Sequence, residues 1–191
     1  LRQVPGETEG AYQNINAGSR SVKEIRVVAH VEKLISLVTL GGTFDVLHKG
    51  HWFILEEAFN VADRVLIGVT TDEFVESMKK SHLVDCYEKR LKELEKFLKQ
   101  KGFLERADIV SIDDRFGPTV GGDPLSDEIE GVVVSEETEP GAEEINRIRV
   151  REGKKPLLIV VVSMVLADDG KPISSTRIRR QEVDRYGRLI G

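Results

Sequence analysis

Cysteine is almost missing from this 191-residue chain. Cys86 stands alone, which excludes an internal disulfide and a cysteine-rich zinc site and fits a reducing, cytoplasmic setting. Long apolar runs are missing as well. The longest, Leu157 to Val162 with Met164 to Ala167 just beyond, falls far below the roughly 20 residues of a membrane-spanning helix. No charged n-region leads into an apolar h-region at the start, so neither a secretory signal nor a membrane partner is expected. A basic surplus is lacking too: 28 Lys and Arg face 33 Asp and Glu, a net charge of −5. That argues against nucleic acid as a partner, because phosphate-coating surfaces need excess positive charge. Local basic clusters can still grip one small phosphate ligand.

The composition that remains, 40% hydrophobic and 32% charged, is that of a folded globular chain. The length suits one domain, able to bury roughly 70% of its unfolded surface without a structural metal. Residues 1–33 read as a leader, flexible or carrying one extra element, ahead of a domain over 34–191. Its first 21 residues are polar and aperiodic; Ser21 to Glu24 has capping-box spacing, and Ile25 to Val31 reads equally as helix or strand.

From Leu34 the pattern is regular. Short apolar runs predict strands over Leu34–Leu40, Arg64–Thr70, Asp108–Ile112, Gly131–Ser135 and Leu157–Ser163. Helical spacing covers His51–Ala62 and Tyr87–Lys101, the latter with Leu91, Leu94 and Leu98 in one stripe, and predicts further helices over 140–152 and 175–185. Asp113 to Leu125, with two Pro and three Gly, reads as a loop. Five strands alternating with helices predict an α/β fold of the Rossmann-like, doubly wound kind, a five-stranded parallel sheet covered on both faces. No periodicity in the chain sets an oligomeric state.

In such sheets ligands bind beyond the carboxyl ends of the strands. The first strand runs there into Gly41-Gly42-Thr43-Phe44-Asp45-Val46-Leu47-His48-Lys49-Gly50-His51. This is neither a Walker A loop nor G-x-G-x-x-G. Its glycines allow close backbone approach, and a helix N-terminus beyond Gly50 would present N–H groups to an anion. His48 and His51 fall on one side of the first turn, where imidazoles can donate to phosphate oxygens. They could equally be capped side chains at a helix start; a shared metal would need ligands that only His30 and His82 remain to supply. After the last strand comes Ile173-Ser174-Ser175-Thr176-Arg177-Ile178-Arg179. Three hydroxyls before a helix form either a plain N-cap or, with Arg177, a polyphosphate grip.

GGTFDVLHKGH after a strand, together with ISSTRIR near the end, resembles the HxGH nucleotidyltransferases. VVVSEETEPGAEEIN over 132–146, FGPT over 116–119 and YEKR over 87–90 narrow the resemblance to the archaeal and eukaryotic phosphopantetheine adenylyltransferase family, across about residues 36–188. No KMSKS segment, RTxGISTT string or Arg-Gly-x-Arg motif occurs, which sets aside synthetases, cytidylyltransferases and the bacterial arginine assignments. The resemblance implies that ATP and 4′-phosphopantetheine are the partners, yielding dephospho-coenzyme A and pyrophosphate, with Mg²⁺ bound mainly through ATP. It implies that His48 and His51 meet the triphosphate and developing charge and that Thr43 orients the attacking phosphate. Lys79 or Lys80 would supply a cation, or form a solvated pair. Gly42 and Phe44 would shape the nucleotide loop. Ser174, Ser175, Thr176 and Arg177 would hold the β- and γ-phosphates, and Ser135 and Glu136 would stand near the substrate pocket. Adenylation of nicotinamide mononucleotide or riboflavin phosphate, and a non-catalytic nucleotide-binding module, are the alternatives.

Overall fold

A computed structural model describes residues 35–79, 82–122 and 124–191. The leader expected over 1–33, its capping box included, lies outside them. The apolar runs form β1 (Ile35–Gly42), β2 (Ala62–Thr70), β3 (Ala107–Ile112), β4 (Gly131–Ser135) and β5 (Leu158–Val162). They pair in parallel in the order β3-β2-β1-β4-β5. Side-chain alternation along the strands sorts the core into two layers. Val38, Val65, Ile67 and Val133 pack with Leu55, Ala58 and Phe59 of α1 (Lys49–Val61) and with Leu94 and Leu98 of α3 (Tyr87–Lys101). Their neighbours Leu37, Leu66, Val132 and Val134 face the other way, onto Ala142 and Ile145 of α5 (Glu139–Arg151). Each large side chain buried this way is worth roughly 1.5–3 kcal/mol. The doubly wound α/β sheet is as expected.

Helix α3 keeps its expected bounds because Gly102 ends it in the left-handed conformation, φ 71°. One element is new and two expectations are corrected. A short helix α2 (Asp72–Ser77) follows β2; Thr71 caps it by accepting from Phe74 N–H, with Asp72 and Glu73 in its first turn. The expected loop over 113–125 holds a 3₁₀ turn at Gly117–Thr119, and α4 (Pro124–Glu128) begins within it, its proline taking the first helical position. The helix expected over 175–185 stops early, as α6 (Ser175–Arg179). Gln181 turns left-handed at φ 59°, and Val183 folds back to bury fully against Ala167 and Ile173. Tertiary packing there overrides helical spacing.

The site follows from the strand order. β1 pairs with β2 along its length, from Ile35↔Ala62 to Gly42↔Val69, but with β4 only at Val38↔Gly131 and Thr39↔Val132. Strands leave β1 in opposite directions at this point, and beyond Thr39 β1 and β4 no longer pair. A crevice opens at the topological switch point.

Candidate functional site

The loop from β1 to α1 is strained and firmly held. Phe44 and Val46 take positive φ, 52° and 45°, a conformation that costs a β-branched residue most. Asp45, between them, is 1% exposed. Its carboxylate accepts from Arg179 at 2.7 and 3.2 Å and from the Asp85 N–H at 3.1 Å, while its carbonyl accepts from the Ser175 hydroxyl. Ser175 and Arg179 are one helical turn apart, so one face of α6 clamps the loop. The bonds to Asp45 hold the Arg179 guanidinium still more firmly charged. Arg90, 1% exposed on α3, donates to the carbonyls of Thr43, Thr70 and Asp85 and to the Asp72 carboxylate, tying the ends of β1 and β2 together.

Helix α1 begins at His48, whose Nδ1 accepts from the Gly50 N–H at 3.1 Å. Burial, and then the charge of Arg185, push the His48 pKa down to about 4. At neutral pH the ring is uncharged, and because Nδ1 accepts, its proton is assigned to Nε2. A Cβ at Gly50 would stand 3.0 Å from the His48 ring, so a larger residue here would press on the capping imidazole. The His51 ring lies 3.9 Å from that of His48, and no acidic side chain occupies the first turn of α1.

Two cavities open at the crevice. The larger, about 520 Å³, is lined by Gly42, Phe44, His48, His51, Ser135, Ser174, Ser175 and Thr176. The structure thus brings together eight residues read from two distant motifs and the middle segment. The second, about 390 Å³, is lined by Thr43, Phe74, Met78, Ile112, Arg115 and Phe116 among others. Leu40, Gly41, Gly42, Ile54 and Thr138 line both, so the two spaces meet over the glycine pair.

Other expected residues lie elsewhere. Arg177 lines neither cavity; its guanidinium is held by Asp169 at 2.7 Å and Glu182 at 3.0 Å, on the face of α6 away from Asp45. Glu136 is exposed and outside both cavities, and Glu137 lines the larger one in its place. Lys79, at φ 49°, lines a separate groove beside α2, and Lys80 lies outside the described residues. Reading the sequence missed Asp45, Arg179 and His82. For the first two the i,i+4 spacing of Ser175 and Arg179 was a usable signal; His82 sits in an aperiodic polar stretch that carried none.

Residues 39–181 match the model of the cytidylyltransferase-like family, a span that contains every residue lining the two cavities. The chain is 46% identical over 162 residues to the phosphopantetheine adenylyltransferase of Methanothermobacter thermautotrophicus, covering 84% of this chain and 93% of that one. It is 47% identical over 147 residues to the enzyme of the same name from Methanopyrus kandleri, covering 77% and 90%. The chain belongs to the phosphopantetheine adenylyltransferase family. A solved structure of an Archaeoglobus fulgidus protein with unknown function superposes with a TM-score of 0.57 at 33% identity, covering 67% of this chain and 89% of that one. Membership in the phosphopantetheine adenylyltransferase family makes the chain a nucleotidyltransferase, as the glycine–histidine loop and ISSTRIR led one to expect.

Proposed function

We propose that this protein transfers the adenylyl group of ATP to 4′-phosphopantetheine, releasing pyrophosphate and forming dephospho-coenzyme A in coenzyme A biosynthesis. The observation that carries this reading is the pair of unlike cavities meeting over Gly41 and Gly42. The larger, with its histidines and hydroxyls, suits ATP. The smaller, walled by Phe74, Met78, Ile112 and Phe116, suits the slender pantetheine arm, with Thr43 in its lining to orient the acceptor phosphate.

The acceptor phosphate attacks the α-phosphorus in line and pyrophosphate leaves from the opposite side. A phosphate nucleophile is already ionised near neutral pH, so the chain has to position and stabilise rather than remove a proton. His48, neutral, with Nδ1 engaged in the cap and its proton on Nε2, is a fixed donor at the start of α1. His51 is the second donor beside it, and the positive end of the 13-residue α1 adds to both. Ser174 and Thr176 reach the outer phosphates.

Among the described residues no group of three His, Cys, Asp or Glu side chains could hold a metal ion, and Glu137 is the carboxylate on the larger cavity. These residues form no protein cage for Mg²⁺. The ion would arrive on the phosphates of ATP, neutralising part of their charge, and no step above is routed through it. No helix among the described residues is long and apolar enough to cross a membrane. A lone cysteine and a nucleotide substrate support the cytoplasm as the setting.

The test is pyrophosphate release by the purified protein with ATP and Mg²⁺ against a panel of acceptors. Turnover with 4′-phosphopantetheine well above that with nicotinamide mononucleotide or riboflavin phosphate is expected. Preference for either of those, or ATP binding without turnover, would replace the proposal with a related adenylyltransferase or a binding module.

A further inference from the structure

The buried face of α5 carries Ala142 and Ile145, which line the smaller cavity, and one turn further along it carries Arg149, which does not. Arg149 is 2% exposed, and the chemistry proposed above makes no use of it. Among the described residues every hydrogen bond it makes goes to an uncharged acceptor. Nε donates to the Lys155 carbonyl at 2.8 Å. Nη1 serves the Thr119 carbonyl at 2.6 Å and the Ser126 carbonyl and hydroxyl, both at 3.1 Å. The carboxylates whose charge reaches it, Asp127 and Glu152, are bonded elsewhere, to Lys154 and to the Gly121 N–H.

A guanidinium buried without a bonded carboxylate is costly to keep, and an unbranched apolar side chain would fill the same space. What the guanidinium alone can do is bridge. The turn from Asp114 to Thr119 lines the smaller cavity without a break, opposite Ala142 and Ile145 of α5. At its near end the turn leaves β3, and the Asp114 carboxylate accepts from the N–H groups of Phe116 and Gly117 at 2.7 and 2.6 Å. At its far end the Thr119 carbonyl is held by Arg149 and by the Ser126 hydroxyl of α4 at 3.2 Å. The Thr119 hydroxyl donates back to the Phe116 carbonyl at 2.6 Å, so a shift of Thr119 carries the phenylalanine wall with it. A second arginine crosses the same gap, Arg115 to Glu144 of α5, but both side chains are exposed and such a pair holds weakly. The buried arginine is the firm tie between the two walls.

We propose that Arg149 is a positioning residue of the acceptor site, which ties Thr119 to α5, fixes the width of the smaller cavity and so sets the affinity for the pantetheine arm. This rests on the assignment of the smaller cavity to the acceptor. Arg149 touches neither substrate and acts through the turn it holds. A slot preorganised to the width of a slender arm spends none of the binding energy on ordering its own wall. Without the tie, the carbonyls of Thr119 and Ser126 lose their charged donor, and the turn shifts to satisfy them elsewhere. The larger cavity shares neither Thr119 nor any other residue of this turn, so ATP does not feel the change.

The experiment is steady-state kinetics with both substrates varied, on wild type, Arg149→Met, Arg149→Lys and Ser126→Ala. Arg149→Met keeps the bulk and loses the bonds; it should raise the KM for 4′-phosphopantetheine about tenfold, the scale of one charged hydrogen bond. The ATP KM and kcat should change far less. Arg149→Lys, which can still reach some of the carbonyls, should recover part of the loss. A purely structural arginine behaves differently, because a smaller folded fraction lowers kcat and leaves each KM where it was. Ser126→Ala removes one neutral hydroxyl from the same cluster and should give a smaller rise in the same KM, so the question is answered even if the arginine variants fold poorly. An acceptor KM unchanged in the variants that fold, equal rises in both KM values, or a loss confined to kcat would overturn the proposal. A wild type that prefers nicotinamide mononucleotide or riboflavin phosphate overturns the cavity assignment as well. One that prefers 4′-phosphopantetheine while the variants keep its KM overturns this proposal alone.

Discussion

His48 shows how one buried ring links the site to stability. Unfolded, a histidine takes up its proton near pH 6.5; folded, His48 holds out to about 4. Between those values the unfolded chain binds the extra proton, so stability falls as pH drops from 6.5 towards 4 and is unaffected by this group above it. The full effect is about 3 kcal/mol, and between pH 7 and 5 about 2 kcal/mol. Asn at this position can still accept from the Gly50 N–H but cannot titrate. Urea unfolding of wild type should therefore lose about 2 kcal/mol more between pH 7 and 5 than unfolding of His48→Asn. Equal losses would show that the ring takes its proton in the folded state as readily as in the unfolded one. The histidines of this turn were legible in the sequence because their chemistry is local: cap, glycine and second ring lie within four residues. His82 was not, since its partners Asp45 and Thr176 are 37 and 94 residues away along the chain.

Among the elements, α6 separates what spacing can say from what it cannot. Three hydroxyls and two arginines in Ser174 to Arg179 marked a phosphate-facing segment, but not which arginine faced where. Helical geometry sets Ser175 and Arg179 on one side against Asp45 and turns Arg177 to the other, between Asp169 and Glu182. Arg177 thus braces the 169–182 turn. Arg177→Ala should lower the melting temperature by a few degrees and leave the ATP KM nearly unchanged. A large rise in KM at unchanged melting temperature would return this guanidinium to the nucleotide. The same limit explains the truncated helix. Residues 180–185 have acceptable helical spacing, yet Val183 gains more by burying against Ile173 than by continuing the helix. By contrast α3 was readable from end to end, its apolar stripe and the glycine after it agreeing.

At the scale of the molecule, the βαβ alternation was enough to place a ligand site at the carboxyl edge of the sheet. It did not say that β1 and β4 would share only two paired positions, and that short pairing is what makes room for two cavities. Nor could it show that an ion pair 134 residues apart, Asp45 with Arg179, holds the β1–α1 loop in a strained shape. On the proposed assignment, two cavities meeting over one glycine ridge imply direct transfer between bound partners, with no side chain adenylylated on the way. The measurement that tests this most directly uses ATP carrying a sulfur of defined configuration at the α-phosphorus, turned over with 4′-phosphopantetheine. A single in-line displacement puts that phosphorus into dephospho-coenzyme A with inverted configuration. Retention, the signature of two displacements through an adenylylated side chain, or failure of the label to enter dephospho-coenzyme A, would contradict it.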